Sequence, residues 1–262
     1  MRAFVVAVGD IAGVLDDEAA PLAAAAGLTV YDVKARLAGA LPRVLFQSPS
    51  EAPARRVLAA VRARGHGAFL CDTDAVPRPA ELVRVRRFGI GETGVLADGQ
   101  KGAALAFDRI GVILRLAIRS AVVRSTREKE LRPQGARPPA TVEVDHDAHE
   151  TLVVHAAYLV PRPSGAERAR PWLLHEREAS FLALGPALRR TRRENLTAAL
   201  DLVRERAPRA IYDERFVAHP LLTAQVIAVR DNLSPEAPPA DTAVALAAHL
   251  LAEWLLGGAP YR

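Results

Sequence analysis

The densest group of side chains that could do chemistry lies in one short stretch: Asp145, His146, Asp147, His149 and Glu150. Carboxylates and imidazoles are ligands of Zn²⁺ and Mn²⁺, so one interpretation is a metal-dependent hydrolase. The sequence offers no further ligands at a fixed spacing, such as a His-x-x-x-His helix, to complete a metal motif. We therefore predict a polar hairpin tip with no bound metal, and the hydrolase remains an alternative function.

Four arginines form a second group at the start of a predicted helix: Arg189, Arg190, Arg192 and Arg193. A helix start carries the positive end of the helix dipole, so four cations there are unfavourable unless they meet an anion. We predict that this group and Lys34 contact an anionic partner. The alternative is a solvated arginine-rich turn whose charges pair with neighbouring acids.

The common catalytic and cofactor motifs are missing from the sequence, apart from one weak match. Gly89–Gly94 fits G-x-G-x-x-G, but another strand and turn follow it where a dinucleotide site needs a helix. We predict a glycine-rich hairpin there. No Gly-x-Ser-x-Gly, P-loop or His-Glu-x-x-His sequence occurs, and the one cysteine, Cys71, is expected to be a buried, inert thiol. These observations predict a protein that is not an enzyme and uses no cofactor.

Positive charge is concentrated in the middle of the chain. The formal net charge is +5, and only three of the 35 basic residues are lysines, as a GC-rich genome would also produce. Residues 1–75 are neutral, residues 76–140 carry +7, and residues 141–262 carry −2. A local basic surface attracts phosphates, anionic lipid or an acidic protein. Aromatic residues make up 5% of the chain and no nucleic-acid-binding motif occurs, which argues against a nucleic-acid partner.

The chain opens with a short apolar run, Ala3–Val8, that ends at Gly9. This run is too short for a signal peptide, and no stretch approaches the roughly 18 apolar residues of a membrane span. A single cysteine also excludes a disulfide framework. We therefore expect a soluble protein of the bacterial cytoplasm.

Residues 1–76 are predicted to form a small ββ/ααα sandwich, with elements in the order β-α-α-β-α-β. Apolar runs and capping residues place these elements along the chain. The predicted elements are a strand at Ala3–Val8, helices at Ala19–Ala26, Thr29–Leu37 and Ser50–Arg64, and strands at Val44–Phe46 and Ala68–Cys71. Pro77–Pro79 marks the boundary of this domain.

Residues 80–207 are predicted to form a β-rich, barrel-like domain with a closing helix. From Leu82 onward the apolar period shortens to about two, and glycine turns separate the segments. The predicted strands are Leu82–Phe88, Gly94–Ala97, Ala103–Phe107, Val112–Ile118, Thr141–Val144, Thr151–Val160, Trp172–Leu174 and Ser180–Leu184. Residues 125–140 lack an apolar pattern and contain three prolines, so we predict a long mobile loop there.

The last part of the chain is predicted to be helical. Thr191 and Glu194 form a capping box that opens the closing helix. Residues 208–262 are expected to be a C-terminal helical extension that packs on the barrel, with helices at Leu221–Val229 and from Thr242 onward.

The first domain resembles the C-terminal domain of the bacterial ribosomal stalk protein, a fold that ClpS-type protease adaptors share in outline. The matching features are Gly27-Leu28, Lys34, Pro42, Val44–Phe46, Ser50–Arg64 and Gly65. The stalk domain recruits translation GTPases through basic residues on its first helix, whereas Ala19–Ala26 carries no basic residue here and Lys34 is the one that remains. The resemblance implies a small fold that presents a helix surface to a protein partner.

The middle domain, with its closing helix, is similar in outline to pleckstrin-homology-like barrels, which hold lipid head groups or peptides. Together these observations predict a non-catalytic adaptor or scaffold that binds another protein. An anion- or anionic-lipid-binding module that uses the basic middle region is the second hypothesis, and the metal-dependent hydrolase is the third.

Overall fold

A computed structural model describes residues 2–39, 41–98, 103–134, 137–163, 170–230 and 242–257, with the backbone alone at 121, 123–150 and 222–230. Within these residues the fold is mixed α+β and contains three separate sheets. The predicted α+β class is therefore correct. We refer to residues 2–72 as the N-terminal unit and to the remainder as the larger region.

The N-terminal unit has the predicted order of elements: β1 (Phe4–Asp10), α1 (Leu15–Ala26), α2 (Val30–Leu37), β2 (Arg43–Ser48), α3 (Glu51–Ala63) and β3 (Gly67–Asp72). Its antiparallel sheet has the order β2-β1-β3, one strand more than the ββ/ααα notation. α1 begins at Leu15 instead of the predicted Ala19. The acidic residues Asp16–Glu18 therefore lie in its first turn, where they complement the helix dipole.

Local capping sets the boundaries of these helices. The Thr29 hydroxyl accepts a hydrogen bond from the Asp32 backbone N–H at 3.1 Å, and the Asp32 carboxylate accepts one from the Thr29 N–H at 3.3 Å. Gly27 ends α1 with φ at +67°, a conformation that glycine adopts without strain. The helices pack on one face of the sheet around a core that includes Val6, Val8, Leu22, Val33, Leu45, Leu58 and Val61.

The described residues of the larger region form twelve strands and α-helices: β4 (Val83–Arg84), β5 (Phe88–Ile90), β6 (Gly94–Ala97), β7 (Ala104–Ala106), β8 (Ile110–Gln134), β9 (Arg137–Pro161), β10 (Trp172–His175), α4 (Arg192–Arg206), β11 (Ile211–Asp213), α5 (Arg215–Ala218), β12 (Leu221–Arg230) and α6 (Thr242–Leu255). A six-stranded sheet has the order β11-β8-β9-β10-β4, and β12 also pairs with β8. A three-stranded sheet has the order β5-β6-β7.

The described strands of the larger region form two open sheets and do not close into the predicted barrel. The pairings of β4 with β10, and of β11 and β12 with β8, are parallel, because strands distant in sequence join the central hairpin. The glycine-rich segment is the hairpin that we predicted. β5 and β6 are antiparallel, and the Gly91 N–H donates to the Gly94 carbonyl at 2.9 Å.

The prediction of a loop at residues 125–140 was wrong. β8 and β9 continue as a paired ribbon until Gln134 faces Arg137. The stretch Asp145–Glu150 therefore lies within β9, opposite Val122–Arg127, and is not a hairpin tip. A two-stranded ribbon can satisfy its backbone hydrogen bonds without an alternating apolar face, so hydrophobic periodicity does not detect it.

Two shorter predictions were also wrong. Leu221–Val229 is not a helix, because it lies within β12 and pairs with β8. A short, mostly apolar segment does not distinguish helix from strand, and here the segment pairs with the edge of β8. Ser180–Leu184 forms only an isolated bridge from Ser180 to Arg87 before a 3₁₀ segment, in which Gly185 has φ at +51°.

Two helices cover the two faces of the six-stranded sheet. α4 and the small sheet cover one face, where the core includes Ile113, Leu159, Trp172, Leu174, Leu196, Leu200 and Val203. α6 covers the other face, where Leu251 packs with Leu114 and Leu116. The opposite side of α6 packs on the open face of the N-terminal sheet, including Val5, Phe69 and the buried Cys71. α6 is thus shared by both sheets.

Candidate functional site

Hydrogen bonds hold the segment that leads into α4 in one conformation. The predicted capping box is present, since the Thr191 hydroxyl accepts from the Glu194 N–H and the Glu194 carboxylate accepts from the Thr191 N–H, both at 3.1 Å. The buried side chain of Asn195 accepts from the Arg189 N–H at 2.6 Å and donates to the Arg189 carbonyl at 3.2 Å. The backbone around the arginines is therefore fixed before any partner arrives.

The four predicted arginines are all exposed, but they are not equivalent. Arg192 donates to the Arg177 carbonyl at 2.7 Å and to the Glu176 carbonyl at 3.5 Å, so it fastens α4 to the turn after β10. Arg189, Arg190 and Arg193 form no ion pair with a carboxylate among the residues that the structure describes. Contact with an anionic partner and a solvated arginine-rich turn therefore both stay predictions for these three residues.

Two apolar side chains lie beside these arginines in the chain. Leu182 is 76% exposed and Leu188 is 42% exposed. They belong to the 3₁₀ segment at Leu182–Ala187 and to the residue that follows it. We call the exposed residues Leu182, Leu188, Arg189, Arg190 and Arg193 the arginine–leucine surface.

Lys34 does not belong to this surface. It lies on α2 in the N-terminal unit, where its Nζ is 2.7 Å from the Asp16 carboxylate on α1. No hydrogen bond or ion pair among the described residues connects it with the arginines near α4. Lys34 forms an ion pair within the N-terminal unit, and the structure does not bring it together with the other predicted site residues.

The stretch Asp145–Glu150 has a backbone described as part of β9, and its side chains lie outside the described part of the chain. Among the residues whose side chains are described, no group of three or more histidine, cysteine or acidic residues is arranged to hold a metal ion. For Asp145, His146, Asp147, His149 and Glu150, the absence of a bound metal therefore stays a prediction, and the metal-dependent hydrolase stays its alternative.

A buried polar pair, His155 and Glu176, lies beneath the start of α4, and no sequence motif marks the two residues as a pair. The alternation of β9 places His155 on the same face as Ala157, which packs beneath α4. The His155 backbone N–H donates to the Glu176 carboxylate at 2.8 Å, and Nδ1 of the His155 ring is buried with no hydrogen-bond partner among the described residues. Burial, assisted by Arg193 and Arg115, lowers the pKa of His155 to about 4. Burial also raises the pKa of Glu176.

A polar cleft of about 750 Å³ opens between β8, β11 and α4. Its lining includes Arg115 from β8, Asp201 and Arg204 from α4, Tyr212 from β11, and Glu214 and Arg215 near α5. None of these residues was predicted. The available signal was Arg115 itself, a lone charge inside the apolar run Val112–Ile118.

Part of the lining of the polar cleft is structural. Arg215 holds both Asp213 carboxylate oxygens, with nitrogen–oxygen distances of 2.8–3.1 Å. Its Nη1 also donates to the Leu41 carbonyl at 2.7 Å, which joins this edge to the N-terminal unit. Arg215 and Asp213 therefore satisfy one another and form a fixed wall.

No family model, curated protein or solved structure matches this chain. No helix among the described residues is both long and apolar enough to cross a bilayer. The candidate sites must therefore be interpreted from their own geometry and charge.

Proposed function

We propose that this chain is a non-catalytic adaptor of the bacterial cytoplasm that binds an acidic segment of another protein through the arginine–leucine surface. The observation that carries this proposal is that Arg189, Arg190 and Arg193 are exposed, lie together at one helix start and have no carboxylate partner among the described residues. Unpaired cations at the positive end of a helix dipole repel one another, and an anionic partner relieves that repulsion.

The fixed backbone of this surface favours recognition of a protein. Asn195 and the capping box hold the chain before binding, so little conformational entropy is lost when a partner docks. Leu182 and Leu188, which precede Arg189 in the chain, add exposed apolar area. This combination fits an acidic segment that also carries apolar side chains, because a purely ionic contact would not use the leucines.

The fold adds a second line of support. The N-terminal unit has the predicted element order β-α-α-β-α-β, and we propose that it belongs to the class of partner-binding folds that its sequence resembles, the ribosomal stalk and ClpS-like domains. We describe the larger region only as mixed α+β, because its open sheets and parallel pairings give little support to a pleckstrin-homology-like barrel.

The test is affinity purification from the native host with three forms of the full-length chain. Wild type is compared with Arg189→Gln/Arg190→Gln and with Arg55→Gln/Arg56→Gln, a control that removes two exposed charges from α3. We expect an acidic partner that wild type and the control retain and that the Arg189/Arg190 variant loses. Its affinity should fall at least about tenfold between 50 and 300 mM salt, because these exposed charges are screened by ions.

Co-sedimentation with anionic and neutral vesicles separates the protein partner from a lipid surface. We expect no sedimentation with either kind of vesicle. Sedimentation with anionic vesicles that the Arg189/Arg190 variant abolishes would replace the adaptor with a lipid-binding module. A protein partner retained equally by all three forms, with an affinity indifferent to salt, would rule out the arginine–leucine surface.

A further inference from the structure

Arg115 forms the floor of the polar cleft and is only partly satisfied by the protein. Its side chain is 16% exposed, and Nη2 donates to the Thr197 hydroxyl at 3.1 Å. Nη1 is 3.5 Å from the Glu214 carboxylate, and Nε is buried without a hydrogen-bond partner among the described residues. A buried donor without a partner is uncommon in folded proteins and here adjoins an open cleft.

Two walls of the cleft bring further polar groups towards Arg115. The Arg204 guanidinium lies 3.9 Å from the centre of the Tyr212 ring, a cation–π contact that holds both side chains in place. The Tyr212 hydroxyl donates to the Glu214 carboxylate at 3.0 Å. Because Glu214 is 55% exposed, it presents carboxylate oxygen to the cleft as well as to Tyr212 and Arg115.

The charges that remain for a ligand are balanced. Arg215 and Asp213 satisfy each other, which leaves Arg115 and Arg204 against Asp201 and Glu214, with His219 as a further lining residue. The Arg204–Asp201 distance of 3.7 Å is that of a weak, exposed pair. A simple anion would meet two carboxylates, and a simple cation would meet two guanidiniums. A ligand that carries one charge of each sign matches both pairs.

We propose that the polar cleft binds a small zwitterion of amino-acid or short-peptide size, with its carboxylate at Arg115 and Arg204 and its ammonium at Glu214 and Asp201. The cleft is shallow and open to solvent, and its volume of about 750 Å³ is large enough for a ligand of this size. The polar lining excludes a mainly apolar ligand. This site is separate from the arginine–leucine surface, so the two proposals can fail independently.

The test uses dialanine as the zwitterion and two matched probes that each lack one charge. N-acetyl-dialanine keeps only the carboxylate, and dialanine amide keeps only the ammonium. We expect dialanine to bind with a dissociation constant of about 1 mM or tighter in isothermal titration calorimetry. Each capped probe should bind at least about tenfold more weakly, because it loses a set of charge-assisted hydrogen bonds.

Substitutions of residues that line the cleft test whether dialanine binds there. Arg204→Gln and Glu214→Gln change exposed side chains, so both proteins should fold, and each should weaken dialanine binding at least about fivefold. Arg115→Gln should weaken it further, with far-UV circular dichroism to confirm folding. Arg56→Gln on α3 removes the same charge from an exposed residue outside the cleft and should leave binding unchanged.

Three results would overturn the proposal. Equal or tighter binding of N-acetyl-dialanine would make the cleft an anion site. Absence of dialanine binding up to about 20 mM by folded wild-type protein would leave no zwitterion site. Unchanged dialanine binding by both Arg204→Gln and Glu214→Gln would place the ligand elsewhere on the molecule.

Discussion

Ion pairs occur in both regions, such as Arg64–Glu18 in the N-terminal unit and Arg215–Asp213 in the larger region, but the side chains that carry the two proposed sites all lie in the larger region. In the N-terminal unit, cations pair within the unit, as Lys34 does with Asp16 and Arg64 does with Glu18. In the larger region, the arginines at 189, 190 and 193 have no such partner among the described residues, and Arg115 retains an unsatisfied donor. Both proposed sites consequently lie along α4, and the N-terminal unit contributes an internally balanced frame.

The difference teaches that total charge is a poor guide to a binding surface. Arg62 and Arg36 are also basic, yet each donates to a backbone carbonyl of its own unit, at 2.8 and 2.9 Å. Only the partner of each charge distinguishes a structural arginine from one available to a ligand. The two regions are nevertheless one assembly, because α6 packs against both sheets.

The largest expected effect comes from breaking this shared helix. Leu251 is 1% exposed and packs on the larger sheet, so Leu251→Ala should reduce the free energy of unfolding by about 2–5 kcal/mol. Guanidinium titration followed by far-UV circular dichroism and by tryptophan fluorescence should give one coincident transition, displaced to lower denaturant. Two separate transitions, with only one displaced, would mean that the sheets unfold independently.

The two regions also differ in how far the sequence predicts them. In the N-terminal unit the signals are local: Thr29 and Asp32 cap α2, Gly27 ends α1, and the order of all six elements was correct. In the larger region, strand pairing connects distant segments, such as Leu221 with Ile118, and no local pattern specifies such partners. The sequence therefore located the four arginines, but it did not show that Arg192 differs from the other three in its contacts, and it did not reveal the polar cleft.

Acid should destabilise the larger region through His155. Its folded pKa of about 4 lies below the ordinary 6.5, so between these values the unfolded chain binds a proton that the folded chain does not. The stabilisation is complete above pH 6.5 and is lost as pH falls towards 4. The free energy of unfolding should therefore contain a loss of about 2 kcal/mol between pH 7 and pH 5.

His155→Leu should reduce that pH dependence. Burial lowers the pKa of His175 as well, which adds to the effect, whereas the raised pKa of Glu176 favours the folded protein at low pH and opposes it. Denaturant titrations of wild type and variant at pH 7 and pH 5 measure the difference. If the free energy of unfolding falls by the same amount from pH 7 to pH 5 in wild type and variant, His155 is protonated in the folded state.

A smaller effect is expected where α6 meets the N-terminal sheet. A Cβ atom added to Gly9 would overlap the Trp254 indole, which also packs against Phe69 with ring centres 6.1 Å apart. Gly9→Ala should cost about 1–3 kcal/mol of stability by overpacking, and less in a Trp254→Leu background. Gly89→Ala in β5 is the control, because its added Cβ meets Leu96 at an ordinary 3.4 Å. Equal costs at Gly9 and Gly89 would contradict this packing.

The smallest effect separates the structural arginine from its neighbours. Arg192 donates to the Arg177 and Glu176 carbonyls, so Arg192→Gln should lower the free energy of unfolding by about 1 kcal/mol. Arg190→Gln removes the same charge from an exposed side chain without a carboxylate partner among the described residues, and should change stability by less than about 0.5 kcal/mol. Arg190→Gln should instead lower the affinity of the protein for its proposed acidic partner. If both variants lose the same stability and the same partner affinity, the four arginines act as one diffuse charge, and the distinction between paired and unpaired cations fails at this helix.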